Sequence, residues 1–197
     1  MQYELLFALT TFAFASSITP GPNNMMLLAS GANFGFRRTI PHMLGISLGH
    51  AIMVFLVGVG LAQIFTAFPI LKQIMQIVAA IYMIWLAWKI ANAAPADSQE
   101  VEGSPLTFTQ AAAFQWVNPK AWGMALTAVT AYAPGDTVLA MALVAITFAS
   151  VNLPSVSIWT ILGQQMQRFL TSSHRLRAFN WTMAALLVCS LAFVIGS

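Results

Sequence analysis

Two short stretches place costly residues inside apolar surroundings. "TPGPNN" comprises Thr19, Pro20, Gly21, Pro22, Asn23 and Asn24, and "NPK" comprises Asn118, Pro119 and Lys120. Each proline removes a backbone donor and crowds the carbonyl one turn earlier. Gly21 lets the chain leave helical geometry. The carbonyls of roughly Ser16 to Ile18 should therefore lose their helical partners. In hydrocarbon an unsatisfied backbone group costs several kcal/mol unless protein or a wet cavity supplies a partner. Freed carbonyls attract an ammonium, whereas the free N–H groups of a half-helix N-terminus attract a carboxylate. Lys120 adds a cation that could hold a carboxylate or release a proton. The chemistry on offer is recognition of a small zwitterion, with no catalytic residue and no cofactor.

A second group is Ser47, His50 and Asn152. Gly45-x-Ser47-x-Gly49 followed by His50 has the spacing of a hydrolase nucleophile elbow, but that elbow requires a strand-turn-helix context and this stretch is an apolar helix. No carboxylate lies nearby to orient the imidazole, so an intramembrane serine hydrolase is the weaker alternative. Gly45-x-x-x-Gly49 instead permits close helix approach. Ser47 and His50 then either line a cavity or make a helix–helix hydrogen bond. Asn152, followed by Pro154, Ser155 and Ser157, has the same two options. His42 and His174 read as solvated positions at helix ends and loops. No metal-ligand spacing joins them to His50, and the methionines read as packing residues rather than soft ligands.

The elements that must position these residues are membrane helices. Of 197 residues 59% are hydrophobic and 7% charged, against about 25% charged in a soluble domain. The net charge of +3 comes from scattered residues and makes no nucleic-acid stripe. A single cysteine, Cys189, excludes an intramolecular disulfide. Residues 1–4 lack a basic n-region, so the first apolar run is expected to stay as a spanning segment.

Apolar runs predict six spans: Leu5 to Phe34, Ile40 to Phe65, Leu71 to Asn92, Leu106 to Tyr132, Val138 to Thr160 and Ala178 to Ile195. The fold class is thus an all-α membrane protein. Residues 1–92 form a first three-helix repeat, 93–105 a polar cytoplasmic linker and 106–197 a second repeat. Residues 163–177 read as an interfacial connector. Arg37, Arg38, Lys89, Arg168, Arg175 and Arg177 fall on one side, opposite Lys72. That bias makes the odd-numbered loops cytoplasmic and both termini external. An odd number of spans per half makes the halves inverted-topology repeats, with helices one and four broken at mid-depth. Transmembrane prolines also serve as plain kinks, and a later start of span four would move Lys120 to the cytoplasmic edge. Tyr82, Trp85 and Trp88 beside Lys89 read as an interfacial anchor.

"TPGPNN" (19–24), "GISLGH" (45–50), "YMIWLAWK" (82–89) and "FQWVNPKAW" (114–122) resemble the LysE/RhtB family of bacterial amino-acid exporters, nearest its cysteine/O-acetylserine branch. The resemblance implies efflux of small neutral amino acids or close derivatives across the bacterial inner membrane, with homoserine and threonine exporters nearby. It also implies proton antiport rather than enzyme activity. Family motifs fall on Thr19, Pro20, Gly21, Pro22, Asn23, Asn118, Pro119 and Lys120. No carboxylate lies deep in a span, so a proton relay would have to use His50, Lys120 or the substrate's amine. The expected partners are an amino acid and the lipid bilayer. Glycine-bearing helix faces allow a homodimer, and the alternative cargo is another small solute or cation.

Overall fold

Long runs of Leu, Ile, Met and Ala carry few breakers, and almost every described segment is helical. The computed structural model describes residues 3–93 and 103–190. In order, the helices are α1 (Tyr3–Ile18), α2 (Pro22–Leu56), α3 (Gln63–Ala67), α4 (Ile70–Ala91), α5 (Phe108–Gln115), α6 (Pro119–Tyr132), α7 (Val138–Met166) and α8 (Ser173–Cys189). A π-helical turn, Val57–Leu61, continues α2 before α3. Among the described residues, three stretches are long and apolar enough to cross a membrane: Pro22–Leu61, Gln73–Ala91 and Val138–Met166.

The first of these, at 40 residues, would be about 60 Å long if straight, twice the thickness of a bilayer core. It is not straight. Gly35 has φ 77° and ψ 171°, a geometry that only glycine adopts cheaply. Ser30 Oγ and Thr39 Oγ1 lie 2.9 Å apart, although nine residues of straight helix would separate them by about 13 Å. Gly35 therefore folds α2 into two arms lying side by side. The polar loop expected around Arg37 and Arg38 is absent; both residues are helical and exposed on the second arm.

Helix starts follow local chemistry. Pro22 and Pro119 each occupy a first-turn position of their helix, where a missing N–H costs nothing. Thr107 and Gln110 form a reciprocal capping box at α5. Thr137 and Ser172 cap α7 and α8 through their side chains. The connector expected over 163–177 is shorter than that, because α7 runs to Met166 and α8 begins at Ser173. α7 also stays continuous through Pro154. Of the linker expected over 93–105, positions 94–102 lie outside the described residues.

α2 packs along α7 and α5, α1 against α7 and α6, and α4 against α8. Glycines set the closest approaches. A Cβ on Gly31 would lie 2.1 Å from the Thr160 carbonyl oxygen, and one on Gly163 would lie 2.1 Å from that of Leu28. Gly45 and Gly49 pack the second arm of α2 against Phe108, Ala111 and Ala112 of α5, which is the close approach that their spacing predicts. Outward faces are apolar, with Ile81, Leu139, Ile146 and Trp181 among the exposed side chains.

Candidate functional site

The two breaks meet. Between α1 and α2 the helix is interrupted at Thr19, Pro20 and Gly21; between α5 and α6 the helix ends at Gln115, Trp116 keeps helical angles and Asn118 is extended, with φ −87° and ψ 109°. At 1.5 Å per residue, α5 supplies about 12 Å on one side of its break and α6 about 21 Å on the other. The second break is thus nearer the Phe108 end than the centre. Because Pro22 and Pro119 begin their helices, the position matching Asn118 is Gly21, and the position matching Lys120 is Asn23.

Every carbonyl freed by the first break finds a donor, from the buried Ser17 to the exposed Thr19 and Pro20. Asn24 Nδ2 donates to Ser17 O at 2.8 Å and Thr19 O at 2.7 Å. Trp159 Nε1, from α7, donates to Ile18 O at 3.1 Å. Thr19 Oγ1 donates to Ser16 O at 2.9 Å. Lys120, from α6, supplies the rest: its Nζ donates to Thr19 O at 2.7 Å, Thr19 Oγ1 at 2.9 Å and Pro20 O at 3.3 Å. The lysine lies directly on Gly21, where an added Cβ would meet its Cδ at 2.8 Å. Gly21 is extended, with φ −178°, so its role here is to leave room for that side chain.

At the second break Asn118 Oδ1 accepts from Lys120 N at 3.1 Å and caps α6. Gln115 is fully buried and pairs reciprocally with Asn23, at 2.9 Å and 3.2 Å. This amide pair ties the end of α5 to the start of α2. The sequence carried a signal for Gln115 in the polar side chain four residues before Pro119, inside an aromatic run. The carbonyls of Ser16 and Ser17 are among those the prolines were expected to free, whereas the Ser17 hydroxyl and Trp159 join the site without any such signal.

A cavity of about 20 Å³ lies at the meeting point, lined in part by Gly21, Asn23, Asn24, Gln115, Asn118 and Lys120. His50 and Asn152 also line it. Asn152 Nδ2 donates to Ser17 Oγ at 3.0 Å, while its Oδ1 and both ring nitrogens of His50 are buried without partners among the described residues. The His50 ring meets Phe148 edge-on at 4.9 Å. The hollow has room for about one water molecule and is far below the several hundred Å³ of a ligand pocket. Cargo can enter only if the helices part.

Of the candidate residues, the structure gathers Gly21, Asn23, Asn24, His50, Asn118, Lys120 and Asn152 around this cavity. Thr19 and Pro20 lie beside it as the acceptors of Lys120. Pro22 and Pro119 shape the helix starts behind it. Ser47 lies apart from the wall; its hydroxyl donates to Ala149 O of α7 at 3.2 Å, the helix–helix alternative. His42 differs from expectation. It is 1% exposed, with both ring nitrogens unpartnered among the described residues, because the second arm of α2 starts at once after Gly35 and carries position 42 into the packed interior. It lines a second cavity of about 230 Å³ with Ser30, Asn33, Leu86 and Lys89. Beside that cavity Asn33 and Asn180 form a second reciprocal amide pair, at 2.7 Å and 3.0 Å.

Residues 14–196 match the LysE type translocator family. A protein of Salmonella paratyphi A named cysteine/O-acetylserine efflux protein is 33% identical over 191 residues, covering 95% of this chain and 96% of the relative. A protein of the same name from Escherichia coli (strain K12) is 30% identical over 190 residues, covering 95% of this chain and 96% of its own. No solved structure matches the chain.

Proposed function

Because the chain belongs to the LysE type translocator family, we propose that it exports small neutral amino acids or close derivatives from the cytoplasm across the bacterial inner membrane. The relatives' names point to cysteine and O-acetylserine, with homoserine and threonine as related cargo. The chain is a transporter and not an enzyme.

The observation that carries this reading is the meeting of two proline breaks at one polar cavity bridged by Lys120 and the Asn23–Gln115 pair. Transporters use interrupted helices in this way, offering carbonyls and N–H groups to cargo at depth. In this reading there are six spans. They are α1 with the first arm of α2, the second arm of α2, α4, α5 with α6, α7, and α8. The halves are inverted repeats joined by the linker, with the arginine-rich ends cytoplasmic and both termini external. A proline at the start of the second half-helix in both breaks supports the repeat.

The substrate enters as one half rocks against the other. Its ammonium meets the oxygen-rich break after α1. Its carboxylate meets Lys120 and the exposed N–H groups at the start of a half-helix. His50 is the second titratable group on the cavity wall. Its ring nitrogens have no partner among the described residues, which supports a role for His50 in carrying the proton that moves inward as cargo moves out.

The test is uptake into inside-out vesicles of labelled cysteine, O-acetylserine, homoserine and threonine, with and without an imposed pH gradient. Accumulation of one or more, enhanced by the gradient, is expected. Uptake no greater than in vesicles lacking the protein, for all four, would overturn the proposal.

A further inference from the structure

The acceptors around Lys120 Nζ are two backbone carbonyls, of Thr19 and Pro20, and the Thr19 hydroxyl. An –NH3⁺ group has three donors and no acceptor, so this set of three oxygens satisfies one primary ammonium completely. The Thr19 hydroxyl is oriented for the task, since its own proton goes to Ser16 O and leaves its lone pairs facing the lysine. The short 2.7 Å and 2.9 Å contacts are those of charge-assisted hydrogen bonds. Gly21 removes the one Cβ that would block the lysine stem. The site is built around an ammonium, and a side chain of the opposite half fills it.

We propose that the Thr19–Pro20 oxygen trio is the ammonium subsite for cargo, and that Lys120 is its resident occupant, a tethered stand-in that the cargo's α-ammonium must displace. This rests on the amino-acid export reading and deepens it into a rule of selection. Displacement by a plain amine would strand the Lys120 cation away from its three acceptors, forfeiting hydrogen bonds to a charged donor. A zwitterion avoids that cost, because its ammonium takes the oxygen trio while its carboxylate takes the released lysine. A carboxylic acid without an amine cannot vacate the trio at all. The subsite therefore recognises ammonium and carboxylate on one small molecule together. It also separates the empty carrier, stapled across its two breaks by Lys120, from the loaded one.

Lys120→Ala deletes Cγ, Cδ, Cε and Nζ, a fragment equivalent to n-propylammonium. The purified variant in detergent should gain thermal stability saturably with n-propylammonium chloride, by about 2–5 °C at concentrations well above half-saturation. It should not respond to n-propanol or tetramethylammonium chloride, which lack the three N–H donors. The wild type should not respond to n-propylammonium. Should Lys120→Ala not survive purification, Lys120→Met leaves only the Nζ position empty and is probed with ammonium chloride against tetramethylammonium chloride. In wild-type proteoliposomes, excess n-propylammonium or propionate, singly or together, should leave counterflow of the labelled amino acid unchanged, while unlabelled amino acid abolishes it. Absence of a saturable response in both variants, or an equal response in the wild type, overturns the stand-in. Competition by n-propylammonium as strong as by the amino acid overturns the zwitterion rule. The two readings fail separately: a saturable response without amino-acid transport keeps the subsite and sinks the export reading, whereas transport without a response does the reverse.

Discussion

Asn24 is the side chain on which the first break depends most. Its amide donates to both Ser17 O and Thr19 O, and it is 3% exposed. In Asn24→Ala the two carbonyls fare differently. Thr19 O keeps Lys120 at 2.7 Å and should lose only a net hydrogen bond, about 0.5 kcal/mol in a membrane interior. Among the described residues Ser17 O has no other donor, and an unsatisfied buried acceptor costs about 1–3 kcal/mol. The sum is a loss of about 1.5–3.5 kcal/mol. Reversible unfolding in mixed micelles with increasing SDS measures it against Ser150→Ala. That control also deletes a side-chain donor to a helical carbonyl, Ser150 Oγ to Ile146 O at 2.8 Å, but at an exposed position where the carbonyl stays satisfied. Ser150→Ala should change stability by less than about 0.5 kcal/mol. If Asn24→Ala proves as mild as Ser150→Ala, the premise that the break is held by side-chain donors to freed carbonyls is wrong.

Three further outcomes are expected. Gly31→Ala should destabilise by about 1–3 kcal/mol or more, because its Cβ would sit 2.1 Å from a carbonyl oxygen. Gly123→Ala in α6, with nothing within 4 Å of the new carbon, should be neutral or stabilising by up to about 1 kcal/mol; the same SDS titrations compare the two. Asn23→Ala and Gln115→Ala should show a coupling energy of about 0.6–1.7 kcal/mol in a double-mutant cycle, and additivity would deny that the amide pair joins the two breaks. His50→Gln should abolish the stimulation of uptake by a pH gradient while sparing counterflow in its absence, and gradient-driven export of normal size would remove His50 from proton coupling.

Much of the helical organisation is legible in the sequence because its causes are local. Pro22 follows Pro20 and Gly21, and Pro119 follows Asn118, so both breaks carry flanking residues that favour a helix start, whereas Pro154 alone leaves α7 continuous. Gly45 and Gly49, one turn apart, announce a close packing face, and α5 fills it. What the sequence withholds is set at longer range. One positive-φ glycine replaces the loop expected near Arg37, and nothing distinguishes Gly35 from the neighbouring glycines until its φ of 77° is known. That single turn buries His42, which its distance from the span centre had placed in water. Lys120 is recognisable as a cation in an apolar run, but its direction is a matter of rotamer. It turns across to Thr19 and Pro20 rather than standing free in a hollow. Gln115 and Trp159 enter the site through pairings over 92 and 141 residues of chain, which no periodicity encodes.

Where Gly31 of α2 crosses Gly163 of α7, two backbones touch with no side chain between them. Sliding either helix by one residue would drive a side-chain carbon into a peptide group. The crossing therefore sets the register of α2 on α7, and the Ser47 hydrogen bond to Ala149 holds the same pair again further along.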